Sequence, residues 1–295
     1  MEKNAYAAVP ARIITSVRRT RILLTVISAN VNGIRAAQRR GGVKWLADRD
    51  PHIICLQEVR ANDKQLAAAL SDSPLADMQV AHAPSDQAGR AGVAILSGRQ
   101  PLEVRTGLGE FETDGRWVEA DFVDGDSLLT VVSAYTHTGE ADTPKQADKY
   151  RFMDAMHVRM DQFAQRAARG AGEALITGDL NVAHREVDMK NWRGNRGKAG
   201  FLEDERAYFD RWLGGEELDG AWVDLGRKHG GIGPGPYTWW TWRGQAFDND
   251  TGWRIDYQLA TRGLANRSVA AEVGRATTYA ERWSDHAPLT VTYSA

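Results

Sequence analysis

The stretch ALITGDLN at positions 174–181 begins as an apolar run of β-strand type and ends with two polar side chains, Asp179 and Asn181. An Asp or Asn after a strand is most often a turn former. In an α/β sheet, however, the loops that follow the strands converge into a crevice where ligands bind. The stretch therefore predicts a β-strand with polar side chains at its end, which would lie in such a crevice if the fold is an α/β sheet.

The same combination of a strand with small polar or acidic neighbours recurs along the chain. The side chains concerned are Asn30 and Asn32 after the first strand, Glu58 after the second, Asp256 within WRIDY, and Asp285 with His286 before the last strand. Each of them alone has an ordinary structural explanation, as a turn former or a solvated charge. Together they offer carboxylates and amides without cysteine, which is the donor set of a hard divalent cation such as Mg²⁺.

Eight short runs have the composition of β-strands; some alternate in hydrophobicity and others are apolar throughout. They cover residues 22–27, 52–57, 92–97, 117–123, 128–134, 174–177, 254–260 and 289–293. This mixture predicts a mixed sheet system. Weaker helical patterns occur at 42–48, 62–70 and 203–213, and no linker-like segment or repeat of fixed period divides the chain.

The clearest helix is predicted at 144–169. Thr143 and Gln146 match a capping box around Pro144, and Gly170 marks the end of the helix. The apolar face comprises Tyr150, Met153, Met156, Met160, Phe163 and Ala167. The charged residues expected mostly on the other side are Lys149, Arg151, Asp154, Arg159 and Arg166. We expect the apolar face to pack on a sheet.

The composition is that of a folded, soluble protein, with 42% hydrophobic and 26% charged residues in a chain of 295. The formal net charge of −2 provides no global attraction to a polyanion, so nucleic-acid binding would need a local basic surface. The single cysteine, Cys55, has no partner in the chain, which favours a reducing cytoplasm. The apolar run at 22–29 is shorter than the ~20 residues of a membrane span. Residues 1–21 are basic and are expected to form a disordered extension.

Eight strings resemble, in order, the signatures of the exonuclease III-type AP endonucleases of the endonuclease/exonuclease/phosphatase superfamily. They are ANVNGIRAA (29–37), ICLQEVR (54–60), GVAILS (92–97), GDLNVAH (178–184), GFLEDER (200–206), YTWWTWR (237–243), GWRIDYQLA (252–260) and WSDHAPL (283–289). The resemblance implies a four-layer α/β sandwich of two packed mixed β-sheets flanked by helices. It also implies one catalytic domain over residues 22–295.

The resemblance implies a catalytic set made of Asp179, Asn181, His286, Asp256 and Tyr135. In it, Asp179 is similar to the general base that deprotonates the attacking water, and Asn181 to a residue that holds the water or the scissile phosphate. His286 resembles a histidine that contacts the phosphate and is oriented by Asp256. Tyr135 resembles a tyrosine that contacts the same phosphate.

The implied metal-binding set is Asn30, Asn32, Glu58, Asp179, Asn181, Asp285 and His286, with Glu58 as the principal ligand. The implied ion is Mg²⁺, with Mn²⁺ as an alternative. Phosphodiester hydrolysis needs a positioned water, stabilisation of charge on the non-bridging oxygens and help for the leaving 3′-oxygen. A carboxylate, a His–Asp pair and a bound Mg²⁺ supply these three requirements independently of the resemblance.

Eight of the ten tryptophans lie at or beyond position 192, and most of them are expected to be packing residues. In the resembled family, aromatic residues at positions like Trp239 and Trp253, with an aliphatic residue like Ile255, line a pocket for a flipped-out abasic deoxyribose. The basic residues Lys190, Arg193, Arg196 and Lys198 lie in one loop and either contact backbone phosphates or are simply solvated.

The sequence thus predicts a Mg²⁺-dependent DNA repair nuclease that incises duplex DNA 5′ to abasic sites and acts as a 3′→5′ exonuclease. The expected partner is duplex DNA, especially abasic or 3′-blocked DNA, bound by a cytoplasmic monomer with no membrane contact. Two alternatives remain open: a phosphatase or phosphodiesterase of the same fold, and a non-catalytic nucleic-acid-binding relative. One departure from the family pattern is Thr-His-Thr-Gly at 136–139, where many relatives have a proline at the position of His137.

Overall fold

A computed structural model describes residues 24–215, 217 and 219–294, so the predicted basic extension at 1–21 lies outside the described residues. The described strands are β1 (Leu24–Asn30), β2 (Ile53–Gln57), β3 (Gln79–Ala83), β4 (Val93–Ser97), β5 (Glu103–Thr106), β6 (Trp117–Asp124), β7 (Ser127–Tyr135), β8 (Glu173–Asp179), β9 (Trp222–Asp224), β10 (Asp256–Thr261), β11 (Ser268–Val273) and β12 (Leu289–Tyr293). The described α-helices are α1 (Ile34–Arg39), α2 (Gly42–Ala47), α3 (Asp63–Leu70), α4 (Pro144–Ala168), α5 (Glu203–Leu213), α6 (Leu225–Gly230) and α7 (Arg262–Arg267).

The strands form two six-stranded sheets, with the orders β11-β12-β1-β2-β4-β3 and β5-β6-β7-β8-β10-β9. Both sheets are mixed: β1 pairs with β2 and β7 with β8 in parallel, and the other pairs are antiparallel. A parallel pair places the carboxyl ends of its strands at the same edge. Each sheet therefore delivers two strand ends to one edge of the sandwich.

Three hydrophobic clusters stack the chain into four layers. The central cluster joins the facing sides of the two sheets, through residues such as Val26 and Ile95 on one and Val131 and Leu175 on the other. The outer face of the first sheet is covered by α1, α2 and α3, and that of the second by α4 and α5. The predicted four-layer α/β sandwich is confirmed.

The eight predicted strands are all present, with ends shifted by a few residues, and the helix predicted at 203–213 has the same bounds in the structure. The sequence did not predict β3, β5, β9 and β11, which are sheet edges or short and largely exposed. Three helices of six residues each, α1, α6 and α7, were also not predicted. Short, half-exposed segments carry too few core positions for a periodic pattern. None of the described helices combines the length and the apolar character that crossing a bilayer requires.

The long helix α4 departs from the prediction at two points. Thr143 does not cap it through its side chain, and Gln146 instead reaches Glu205 with its Nε2 at 3.0 Å. Lys149, expected on the charged face, is completely buried. Its Nζ lies 2.6 Å from Oε1 of Glu205 on α5 and 2.8 Å from the carbonyl oxygen of Asn181. Helix α4 can bury the charge of Lys149 because α5 supplies the opposite charge. The hydrophobic period of α4 alone does not reveal this partner.

We expect Lys149→Met to lower the free energy of unfolding by about 3–5 kcal/mol, because it leaves the Glu205 carboxylate buried without its partner. Urea unfolding followed by circular dichroism measures this loss. Lys145→Met on the same helix is the matched control, since Lys145 pairs with Glu140 at the surface, where the two side chains are 74% and 57% exposed. That pair should contribute less than about 1 kcal/mol. Equal effects of the two substitutions would contradict the role assigned to the buried pair.

Candidate active site

Strand ends from both sheets meet at one edge of the sandwich. Asn30 ends β1, and Glu58 directly follows β2 in the first sheet. In the second sheet the register aligns Tyr135, Asp179 and Asp256 across β7, β8 and β10. The sequence predicted Asn30, Glu58, Tyr135 and Asp179 at the ends of strands and Asp256 within one, and the structure places Asp256 at the start of β10. The pairing of β7, β8 and β10 brings Tyr135, Asp179 and Asp256 side by side.

The side chain of Asn30 joins the two sheets. Its Nδ2 donates to Oε1 of Glu58 and to Oδ2 of Asp179, both at 2.9 Å. Its Oδ1 accepts the backbone N–H of Asn32 at 3.0 Å. One neutral amide therefore holds two carboxylates of different sheets at hydrogen-bond distance, and all of its contacts are made among residues that the sequence had selected.

Three of these residues have left-handed backbones, with φ of 46° at Asn32, 50° at Glu58 and 50° at Asn181. This conformation is uncommon outside glycine, and for a residue such as Glu it costs roughly 1–2 kcal/mol. The two asparagines share one local cause, because each donates its N–H to the side chain two residues earlier, at Asn30 and Asp179, both at 3.0 Å. The turns bring the side chains back over the strand ends instead of continuing the sheet.

His286 is held between two carboxylates. Its Nδ1 lies 2.9 Å from Oδ2 of Asp256, and its Nε2 lies 3.7 Å from Oδ2 of Asp179. Burial opposes the charge on the imidazole, but Asp256, Asp179 and, more weakly, Asp285 outweigh it and raise the pKa of His286 to about 10. The ring is therefore an imidazolium at neutral pH, with Nδ1–H donating to Asp256.

The carboxylate of Asp179 is buried, where a negative charge is unfavourable. Burial, together with the nearby carboxylates of Asp256 and Glu58, raises its pKa to about 7, although His286 and the hydrogen bond from Asn30 pull it down. A carboxyl group with a pKa near 7 both accepts and releases protons at neutral pH.

Tyr135 lies beside the same carboxylates. Burial and the charges of Glu58 and Asp179 raise the pKa of its phenol well above the usual value, so the hydroxyl keeps its proton. The guanidinium of Arg116 lies 4.9 Å from the ring centroid of Tyr135 and donates to its carbonyl oxygen at 3.2 Å. Sequence reasoning missed Arg116, which stands alone before a strand and belongs to no string that carried the resemblance.

Other contacts of the site had also not been predicted. Arg60 forms an ion pair with Glu58 at the rim. Ser284, within the quoted string WSDHAPL, donates its hydroxyl to the carbonyl oxygen of Asn30 at 2.7 Å and accepts the N–H of His286 at 3.2 Å. Ser284 thus connects the loop of His286 to the end of β1. In the sequence, only its position next to Asp285 indicated that it could belong to the site.

One group of described side chains has the arrangement of a metal site. Donor atoms of Glu58, Asp179 and His286 lie within 4.8 Å of one another. Next to them, Asn32 donates its Nδ2 to Oδ1 of Asp285 at 2.7 Å. These carboxylate and amide oxygens suit a hard divalent cation, whereas the protonated His286 suits the role of hydrogen-bond donor better than that of ligand.

The predicted pocket residues form a cluster beside His286. Trp239 and Trp253 meet edge to face, with ring centroids 5.5 Å apart, and Ile255 belongs to the same cluster. Trp239 also donates its Nε1 to Oδ2 of Asp285 at 3.3 Å. The apolar cluster and the polar network are therefore in direct contact.

The basic loop at 190–198 is exposed. Lys190, Arg193 and Arg196 are all exposed. The guanidinium groups of Arg193 and Arg196 each lie 4.4 Å from the ring centroid of Trp192, which itself packs against the apolar cluster of the site. Trp192 thus links the charged loop to the site.

His137, where the sequence departs from the family pattern, has a structural place. Its ring packs edge to face between Phe111 and Phe152, with centroids 5.6 Å and 5.5 Å away. Burial, with the charges of Arg116 and Lys149, lowers its pKa to about 3. A neutral, packed imidazole therefore supports the loop after Tyr135.

Comparisons with known proteins agree with this geometry. Residues 27–286 match the model of the Endonuclease/Exonuclease/phosphatase family. The chain is 31% identical over 273 residues to the exodeoxyribonuclease of Bacillus subtilis, covering 90% of this chain and 98% of that protein. Among solved structures, an AP endonuclease from Archaeoglobus fulgidus superposes with a TM-score of 0.76 at 27% identity, over 92% of this chain and 99% of the other. A 3′-5′ exonuclease from Neisseria meningitidis superposes with a TM-score of 0.75 at 26% identity, over 92% and 100%.

In the metal-free protein, His286 should stay protonated through the neutral range, and NMR titration of the imidazole nitrogens measures this. Its pKa of about 10 lies above the unfolded value of about 6.5, so the charge stabilises the fold below pH 6.5 and this contribution disappears as pH rises through about 10.

Asp256→Asn removes the nearest carboxylate and should lower the pKa of His286. Asp210→Asn is the matched control, because Asp210 contacts His184 instead, at 2.7 Å. A wild-type His286 that titrates near pH 6.5 would overturn the assignment of an imidazolium.

Proposed function

The chain belongs to the endonuclease/exonuclease/phosphatase family, and on this premise we propose that it is a DNA repair nuclease that incises duplex DNA 5′ to abasic sites and degrades DNA from 3′ ends. The enzyme class, a nuclease that hydrolyses phosphodiesters, follows from the exodeoxyribonuclease and AP endonuclease relatives. The observation that carries the specific reaction is the buried contact of Asp179 with Asn30 on one side and His286 on the other.

In the proposed reaction Asp179 takes a proton from a water that attacks the phosphorus. Its pKa of about 7 suits a general base at neutral pH. Asn181, whose Nδ2 lies 3.3 Å from Oδ2 of Asp179, orients the water or the phosphate. The bond from phosphorus to the 3′-oxygen breaks and this oxygen takes up a proton from solvent, which leaves a 3′-hydroxyl on one fragment and a 5′-phosphate on the other.

The charge that develops on the phosphate oxygens is met by donors that are already in place. His286 offers Nε2–H while its Nδ1 remains bonded to Asp256. Tyr135 keeps its proton because its pKa is raised, so its hydroxyl is available as a donor. Fixed donors of this kind stabilise the transition state without the cost of reorganising solvent.

We propose Mg²⁺ as the cofactor, with Mn²⁺ as a substitute. The donors that would hold it are Glu58 as the principal ligand, with Asn30, Asn32 and Asp285 around it. The closeness of carboxylates from both sheets supports this, since such a cluster is stabilised by a cation. When bound, the ion supplies Lewis-acid stabilisation of charge on the phosphate and on the leaving oxygen.

The proposed substrate contacts lie around this centre. Trp239, Trp253 and Ile255 would receive a base-less sugar, since an apolar pocket too small for a base discriminates by exclusion. Exposed Lys190, Arg193 and Arg196 would contact backbone phosphates and compensate for the weakly negative chain. We further propose that the protein is a monomer that acts in the cytoplasm; the single buried cysteine, Cys55, supports a reducing compartment. We also propose one catalytic domain over residues 22–295, preceded by a basic extension.

The direct test uses a short duplex with one tetrahydrofuran abasic analogue, labelled at its 5′ end and incubated with Mg²⁺ or with EDTA. We expect a single Mg²⁺-dependent cut just 5′ of the analogue, together with slower shortening of an unmodified strand from its 3′ end. A ladder without the single cut would make exonuclease the main activity. No cleavage by a folded sample would favour a phosphatase or a non-catalytic binder and contradict the proposal.

Asp179→Asn should lower the rate of incision by at least ~10²-fold to 10⁴-fold, because loss of a general base removes about that much. Binding of the uncleaved duplex in EDTA should be nearly unchanged, since the Asn side chain can still accept from Asn30. Single-turnover kinetics and fluorescence anisotropy measure the two effects. Asp161→Asn on α4, an exposed carboxylate, is the control. Retention of near-wild-type incision by Asp179→Asn would remove this residue from the role of base.

A further inference from the structure

A second concave site lies on the other side of the segment that carries His286. Trp239 faces the catalytic network, whereas the next residue, Trp240, lines a separate cavity of about 360 Å³. We call this cavity the arginine–tryptophan pocket. Its main lining residues are Trp45, Arg49, Trp240, Arg275, Arg282 and Trp283. Ser284, His286, Ala287 and Pro288 also line it, so the pocket and the catalytic centre share one wall.

The walls of the pocket are closely packed. The ring of Trp283 lies against Gly42, where a Cβ atom would come within 2.6 Å of it. The ring of Trp45 lies against Gly274 in the same way, at 2.4 Å from a Cβ placed there. The two rings are 6.0 Å apart. Only glycine permits these approaches, so the shape of the pocket is preformed, as ligand sites usually are.

Three guanidinium groups line the pocket, and among the described residues only that of Arg275 forms an ion pair. Arg49 stacks on Trp45, 3.2 Å from the ring centroid, and donates to its carbonyl oxygen rather than to a carboxylate. Arg275 lies 4.0 Å from the ring centroid of Phe247, and its nearest carboxylate, on Asp250, is 3.8 Å away. Elsewhere in the described chain, comparable arginines such as Arg105, Arg254 and Arg267 each pair with a carboxylate within 3.0 Å.

The third guanidinium, on Arg282, is only 6% exposed. Its Nη2 donates to the carbonyl oxygens of Trp240 and Asp285, and its Nη1 has no hydrogen-bond partner among the described residues. Burial lowers the pKa of this group despite the charge of Asp285. Glu281 is the carboxylate among the lining residues, and Asp48 and Glu272 lie near Arg49. The lining thus holds three guanidinium groups and one carboxylate, and the buried guanidinium of Arg282 costs free energy unless an anion balances it.

We propose that the arginine–tryptophan pocket binds a phosphate group, carried either by the DNA strand beyond the reacting nucleotide or by a free nucleotide. Guanidinium groups present planar sets of donors that match phosphate oxygens, and three of them around one cavity suit a tetrahedral anion. The pocket shares a wall with the catalytic centre, so a strand leaving that centre passes close to it. The DNA form of this inference rests on the proposed nuclease function, and the free-nucleotide form does not.

The test uses Arg49→Gln and Arg275→Gln, singly and combined. Both side chains are exposed and neither belongs to the catalytic set, so the fold and the chemistry should persist. Arg282 is left unchanged, because it holds the backbone of Trp240 and Asp285. Arg169→Gln, which removes an exposed charge after the far end of α4, is the matched control.

Two binding measurements distinguish the sources of the phosphate. The first is fluorescence anisotropy of an uncleaved duplex in EDTA over a range of salt concentrations. The second is calorimetric titration with inorganic phosphate and with deoxyadenosine monophosphate. If the DNA strand occupies the pocket, the double variant should bind duplex about tenfold more weakly. The slope of log K against log salt should also become shallower by about 0.9 for each DNA phosphate that the variant no longer neutralises.

If a free nucleotide is the ligand, only the calorimetric affinities should fall, again about tenfold, while duplex binding is unchanged. Equal affinities of wild type, double variant and control in both measurements would overturn the proposal that the pocket binds phosphate. Incision of the abasic duplex by wild type is measured separately. If phosphate binding depends on the arginines but the wild type does not incise, the nuclease function is rejected and the phosphate site is supported. If the wild type incises but phosphate binding does not depend on the arginines, the nuclease function is supported and the phosphate site is rejected.

Discussion

The hydrogen bonds from the amide of Asn30 to Glu58 and Asp179 are the interaction on which the rest of the site depends. They cross from one sheet to the other, so the edge of the sandwich keeps its shape only if both sheets keep their relative position. They also meet an electrostatic constraint, because carboxylates gathered in a buried site repel one another and lose hydration. A neutral amide reduces this penalty with two donors and adds no charge.

The remaining negative charge of the carboxylates is balanced in part by the proton on His286. His286 carries a positive charge between Asp256 and Asp179, while Asp179 itself is left with a pKa near 7. The pKa values of both groups are raised for the same reason. Nearby carboxylates favour a proton on His286, and they also favour a proton on Asp179. A site with these pKa values exchanges protons at neutral pH, and its clustered carboxylates would be stabilised by a divalent cation. Both properties suit a site that hydrolyses phosphodiesters.

Strain and packing around the site are connected. Glu58, Asn32 and Asn181 hold left-handed backbones that an isolated chain would rarely adopt. They persist because the loops are bonded across: the N–H of Gly33, for example, donates to the carbonyl oxygen of Glu58 at 2.8 Å. Behind them, the buried Lys149 donates to the carbonyl oxygen of Asn181. Part of the stability of the fold therefore offsets the cost of pre-arranged donors and carboxylates.

By itself the sequence predicted the core strands, from residue type and period, and its resemblance to a known family predicted the class of fold and a candidate set of site residues. Apart from the contact of His286 with Asp256, which the resemblance implied, only the tertiary structure decided which of these side chains touch. Lys149 was assigned to the wrong face of α4 because its partner, Glu205, lies 56 residues away along the chain. The sharing of Asn30 between two sheets, the proton on His286 and the place of Arg116 beside the site were likewise beyond any local pattern. The physical reason is that pKa values, ion pairs and strained turns depend on distance and burial, and these are set by the packing of two sheets whose strands are far apart in sequence.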